Sequence, residues 1–146
     1  VPTIAPSTIP AAKSALVQII TTLVNDSNVM VTYGYPTGEP QREWIMVADV
    51  AGQQESAAIG SRHREETYTI DVVVSVLEEA GDNQTSTERA FALAALIEVG
   101  LRFTYTNLNG SVRTALVAGP IALRELKRGA KVESQLTISI ACTARI

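Results

Sequence analysis

The chain has 146 residues, of which 46% are hydrophobic, and a formal net charge of -3. A chain of this size forms one domain and buries an ordinary core without disulfides or a structural metal. It has no apolar run of ~18 residues to make a membrane-spanning helix, its composition is not that of a disordered chain, and its charge gives no broad grip on nucleic acid.

Charged residues make up 18% of the chain, against about 25% in typical domains. Nine of the twelve basic residues are Arg, the others being Lys13, Lys127 and Lys131. Interfaces favour Arg over Lys, because guanidinium is less strongly hydrated and bonds in a planar fork. This bias fits a subunit of an assembly, and a plain codon bias toward Ala and Arg fits it equally. Residues 1–10 carry no basic start followed by an apolar stretch, so a cytoplasm, or something assembled there, is the expected compartment. Two matches to the glycosylation pattern, at Asn83 and Asn109, are read as chance.

The first nine residues hold two of the six prolines and read as an extended arm, with a single domain over 10–146. A helix is expected over 10–24, capped by Ser7 or Thr8, with Ala12, Leu16, Ile19, Ile20 and Leu23 on one stripe. A strand over 29–35, a turn with prolines at 36 and 40, and a strand over 43–50 carrying Trp44 follow. Residues 52–64 are polar and without period, and read as a long loop. The strongest strand covers 66–78, with Tyr68, Ile70, Val72, Val74 and Val76 on one face.

A capping box, Thr85 to Glu88, opens a second helix to about residue 102. Ala90, Leu93, Ala94, Ile97 and Leu101 form its core stripe. Phe91, Ala92, Ala95 and Val99 lie on the opposite side among Glu88, Glu98 and Arg102. A helix apolar on both sides must bury both. A second layer of the same domain would do this, and so would a neighbouring subunit, which is the expectation adopted here.

A turn at Asn107 to Gly110 precedes two long strands, 111–127 and 131–146, joined at Arg128 and Gly129. Gly119 and Pro120 interrupt the first of them, which suggests a bulge or an edge position. In the last strand Val132, Ser134, Leu136, Ile138, Ile140 and Cys142 face one way. The order α-β-β-β-α-β-β predicts an α+β fold: a mostly antiparallel sheet, two helices packed on one face and a long C-terminal β-hairpin.

No phosphate-binding loop, dinucleotide fingerprint or nucleophile elbow is present. The one histidine, His63, lies between Arg62 and Arg64, whose charge opposes a metal cation. The single cysteine, Cys142, can form no internal disulfide, leaves no cluster for zinc, and falls on an apolar strand face where thiols are usually inert. Loop arginines are too few for stable DNA binding, and seven scattered aromatics make no stacking platform. No catalytic residue, cofactor or metal is expected.

An N-terminal helix is followed by Trp44 in an early strand, then by the Gly60 to Glu66 segment rich in Arg. The Tyr68 to Val74 strand, an Ala-rich helix, the Leu108 to Val112 turn and a long hairpin ending at Ile146 complete the order. This succession resembles the tail terminator family of long-tailed phages (siphophages), also called tail completion or tail-to-head joining proteins. The resemblance lies in order, spacing and size over nearly the whole chain, not in one motif. The proline-rich arm is longer than that family's role demands, and the turn at Pro36 to Pro40 is not a family mark.

The resemblance implies a virion protein of the tail and neck, assembled in the host cytoplasm. It implies a homo-oligomeric ring, usually a hexamer, that caps the tail tube, ends its growth and joins it to the neck of the capsid. Its partners would be other copies of itself, the tube protein, a neck or connector protein, and genomic DNA passing through the lumen without sequence readout; no membrane is implied. Phe91, Ala92, Ala95, Val99 and Arg102 are then the candidate subunit interface. Gly60, Arg62, His63, Arg64 and Glu65 would form a partner-docking or lumen loop, and Arg128 a contact at the hairpin tip. A head-closure or connector protein would share this logic, whereas a small ligand-binding or enzymatic domain would instead show a closed apolar pocket.

Overall fold

In the computed structural model, Ala12, Leu16, Ile19 and Ile20 are the buried stripe of helix α1, Ile9–Val24. Ile9 is already helical, so the arm expected over 1–9 gives up that residue to the helix. Pro10 falls in the first turn, where a missing N–H goes unnoticed. The capping differs from expectation. Thr8 occupies the cap position but its side chain makes no cap bond, while Ser7 Oγ accepts from the Ile9 amide at 3.2 Å. Asn25 ends the helix in the left-handed region at φ 48°, its N–H bonded to the Thr21 carbonyl.

Among the described residues six strands make one sheet: β1 Val29–Tyr33, β2 Glu43–Ser56, β3 Arg64–Glu78, β4 Thr114–Val117, β5 Ala122–Arg128 and β6 Lys131–Arg145. Helix α2, Asn83–Phe103, lies between β3 and β4 in sequence. The structure describes residues 7–36, 38, 41–56, 64–79 and 82–146. The spatial order is β1-β2-β3-β6-β4, with β5 also on β6. Among the described residues only β1 and β2 run parallel, and the other pairings are antiparallel. Helix α1 packs on β1 and β2, helix α2 on β3 and β6, and the helices touch each other. The fold is α+β, with both helices covering one side of the sheet.

The core is the meeting of that side with the helices. Tyr68, Ile70, Val72, Val74 and Val76 of β3, and Leu136, Ile138, Ile140, Cys142 and Ala144 of β6, are buried against Ala90, Leu93, Ala94, Ile97 and Leu101 of α2. The strand and helix stripes expected from alternation and from helical spacing are thus the buried ones. At Gly100, where α2 passes α1, a Cβ would meet side-chain atoms of Leu23 and no backbone.

Three expectations need correction. Residues 52–56 are not loop: they continue β2 and pair with β3 from Gly52↔Tyr68 to Ser56↔Arg64. Gly52 has no room for a Cβ, which would run into the Thr67 carbonyl and Tyr68. This stretch extends past the core with residues 51–55 exposed, so no apolar alternation marked it as strand. Helix α2 starts earlier than Thr85, and its cap is Asp82, whose carboxylate accepts from the Thr85 amide at 3.0 Å. The carboxylate directly before the first helical residue captured the amide that the Thr85–Glu88 box was expected to use. Strand β1 ends at Tyr33, because Gly34 turns the chain at φ 71°.

The interruption at Gly119, φ 105°, divides one expected strand into β4 and β5, and both lie on the outer side of β6 as an edge. The turn before them holds Leu108, Asn109 and Gly110 at φ 48°, 57° and 86°, with the Leu108 side chain fully buried.

Candidate subunit interface

Helix α2 turns one apolar stripe to the sheet and a second to solvent. Phe91 is 42% exposed, Leu96 43%, Val99 57% and Phe103 72%, and Ala92 and Ala95 beside them are also exposed. Positions 92, 95, 96, 99 and 103 follow i, i+3, i+4, i+7 and i+11, which is one face of a helix. Leu116, Ile121 and Leu123 add exposed apolar surface on the adjoining β4–β5 edge. Exposed apolar residues grouped on one helix face make this a candidate for burial against another chain. Sequence reading found Phe91, Ala92, Ala95 and Val99 but missed Leu96 and Phe103, although the spacing from Ala92 carries both.

Arg102, also a sequence candidate, sits at the exposed end of this stripe. Its Nη2 donates to Glu98 Oε1 at 2.9 Å, and its guanidinium carbon lies 5.9 Å from the centre of the Phe103 ring. Arg102 and Glu98 also line a groove between α2 and β4, with Thr106, Leu116 and Val117 on its far wall.

A second exposed aromatic spot lies at the other end of the sheet. Tyr33 is 51% exposed and Tyr35 83%, and Lys13 Nζ stands 4.4 Å above the Tyr33 ring centre. Beside Tyr35 is an open cavity of about 330 Å³, lined by Lys13, Met46, Asp49, Asp71 and Val73. Asp49 falls where the β2–β3 register shifts between Val47 and Val50. Asp49 and Asp71 come from β2 and β3, so spacing along either strand alone does not bring them together.

The remaining candidates behave differently. Gly60, Arg62 and His63 lie outside the described residues. Arg64 and Glu65 are in β3, not in a loop: the Arg64 amide and carbonyl pair with Ile146, its Nη1 donates to Gln54 Oε1 at 3.1 Å, and Glu65 lies 3.9 Å from Arg113. Arg128 sits at the hairpin tip as expected, but its Nε donates back to Glu133. Glu133 is buried and also accepts from Ser75 Oγ at 2.8 Å and Gln135 Nε2 at 2.9 Å. Burial pushes its carboxyl up, and these donors, with the Arg128 charge, outweigh it and hold it below the usual carboxylate range.

One polar site was missed altogether. Glu66 is fully buried on the inner face of β3, in phase with Tyr68 and Ile70. Its carboxylate accepts from Ser7 Oγ (2.5 Å), the Thr8 amide (2.7 Å), Thr8 Oγ1 (2.7 Å) and Gln54 Nε2 (2.6 Å). The single Thr8 hydroxyl proton goes to Glu66, so Tyr68 donates to Thr8 Oγ1 across 2.8 Å. Burial disfavours the charge, yet the four hydrogen bonds win and place the Glu66 carboxyl at about 2. Burial also pushes the Tyr68 phenol up to about 12. The signal was the phase of Glu66 in the apolar stripe, which demands a buried partner set for a charge.

Burial pushes the Cys142 thiol up to about 12, so it stays protonated at neutral pH and is a poor nucleophile. No family model and no curated protein matches the chain. Among solved structures, a chain from the virion of a native gene transfer agent particle is similar to it. The likeness covers 96% of this chain and 100% of that one, with a TM-score of 0.50 and 14% sequence identity. At that identity the likeness is one of fold: the α+β arrangement described above is shared with a virion chain over nearly its whole length.

Proposed function

We propose that this chain is a structural protein of a phage-like virion, and that copies of it close into a ring. In this reading the ring caps the tail tube and joins it to the neck, as the resemblance to tail terminators implies. The observation that carries it is the solvent-facing apolar stripe of α2, Phe91, Leu96, Val99 and Phe103, which the chain's own described residues leave exposed. The fold likeness to a virion chain supports the same reading. The exposed edges of the sheet at β1 and at β4–β5 add surface for neighbours. A net charge of -3 suits a lumen through which DNA slides, because a basic lining would hold phosphates.

Negative-stain imaging of the purified protein tests this. Ring-shaped particles with a central opening, which attach to the ends of tubes when tube protein is added, are the expected result. Featureless single-copy particles at every concentration, with no binding to tubes, would overturn it.

A further inference from the structure

Resting on the reading of a ring of identical copies, we propose how neighbouring copies meet. The end of α2, Arg102 and Phe103, seats in the Tyr35 cavity of the next copy.

Phe103 is a knob. It is 72% exposed on the last turn of α2, and an aromatic ring left in water is the commonest kind of interface anchor. The cavity beside Tyr35 is a matching hole. Its volume of about 330 Å³ gives room for one ring, and Met46 and Val73 supply an apolar floor. Charge also matches. Asp49 and Asp71 line the cavity, and the Arg102 guanidinium travels with the Phe103 ring at 5.9 Å. Insertion of the ring brings that cation, exchanged from its bond to Glu98, toward the two carboxylates, which share the lining with one cation, Lys13.

Placement decides the symmetry. Helix α2 ends beside β4, where the Ala115 amide bonds the Thr106 carbonyl at 2.8 Å. The cavity takes Tyr35 from just after β1, Met46 and Asp49 from β2, Asp71 and Val73 from β3, and Thr137 from β6. Knob and hole share no residue, so one molecule can offer each to a different neighbour. Such a head-to-tail contact is the heterologous kind that generates rings, whereas a two-fold dimer needs one patch that matches itself.

Disulfide trapping between two single variants tests this. Phe103→Cys and Tyr35→Cys proteins are oxidised separately and as a mixture, with the buried Cys142 left in place. Both positions are exposed, so both variants should fold; circular dichroism checks that. The expected result is a cross-linked dimer abundant in the mixture and at least tenfold scarcer in either protein alone. Cross-linking of Phe103→Cys with itself as readily as with its mate would show a two-fold contact and overturn the proposal. Wild-type assembly with no cross-link in the mixture would also overturn it, while leaving the ring reading intact. A wild type that stays monomeric, with no cross-link, would overturn both.

Discussion

The Thr8 amide donates to the carboxylate of Glu66 across 2.7 Å, tying the start of α1 to a strand residue 58 positions away. The carboxylate thus sits at the positive end of the α1 dipole and takes up an amide that the helix leaves free. With Ser7, Gln54 and Tyr68 around it, this cluster fastens the N-terminal helix to the base of the β2–β3 hairpin.

Removing the carboxylate should therefore be costly. Glu66→Ala leaves the half-buried Ser7 and Thr8 donors and the exposed Gln54 amide without their acceptor. The expected loss is about 2–4 kcal/mol in urea unfolding, since each unmet buried partner costs about 1–3 kcal/mol and some will find water. Glu66→Gln keeps an acceptor oxygen and should lose less. A change under ~0.5 kcal/mol for Glu66→Ala would show that the cluster contributes little.

The same group sets an acid dependence. Its folded carboxyl lies at about 2, below the ordinary value of 4.5, so the unfolded chain holds the proton more tightly. The stabilisation is complete above about pH 4.5 and is lost as pH falls through about 2. A separation of that size corresponds to about 3 kcal/mol. Unfolding free energy measured from pH 5 to pH 2 should fall more steeply for the wild type than for Glu66→Gln. Parallel curves would contradict the assignment.

The outer stripe of α2 should matter to association and not to folding. Val99→Asp and Phe91→Asp place charge on exposed positions, so melting temperatures should stay within a few degrees of wild type. Particle mass at equal concentration should drop to that of the monomer. A large fall in melting temperature would assign this side of the helix to the chain's own core.

Two glycines should respond in opposite ways. Gly52→Ala drives a Cβ into the Thr67 backbone carbonyl, which cannot move without breaking the β2–β3 pairing, and should lose about 1–3 kcal/mol. Gly100→Ala meets only the tip of the Leu23 side chain and gains helix propensity of about 1 kcal/mol, so it should be close to neutral. Thermal unfolding of both variants checks the contrast. Equal losses would contradict it.

Much of this architecture is legible in the sequence because burial imposes a period. The β3 residues from Tyr68 to Val76 and the α2 residues from Ala90 to Leu101 alternate or recur with the core, and the structure buries those residues. The second stripe of α2 was legible for the same reason, down to Val99. What escaped has no such period. Residues 52–56 pair as strand, but residues 51–55 are exposed, so polar residues serve there and leave no apolar period. The parallel pairing of β1 with β2 is a choice between partners that strand composition does not record. The Glu66 cluster joins Ser7 and Thr8 to β3 across the chain, and the cavity beside Tyr35 assembles residues from separate strands. Both depend on tertiary placement that spacing along one element does not carry.

Sedimentation velocity of the wild-type chain across a hundredfold range of concentration tests the central claim most directly. The account predicts a discrete species several times the 15.6 kDa of one chain, replaced by monomer in Val99→Asp. A single sharp boundary at one chain mass, unchanged up to the highest concentration, would contradict it.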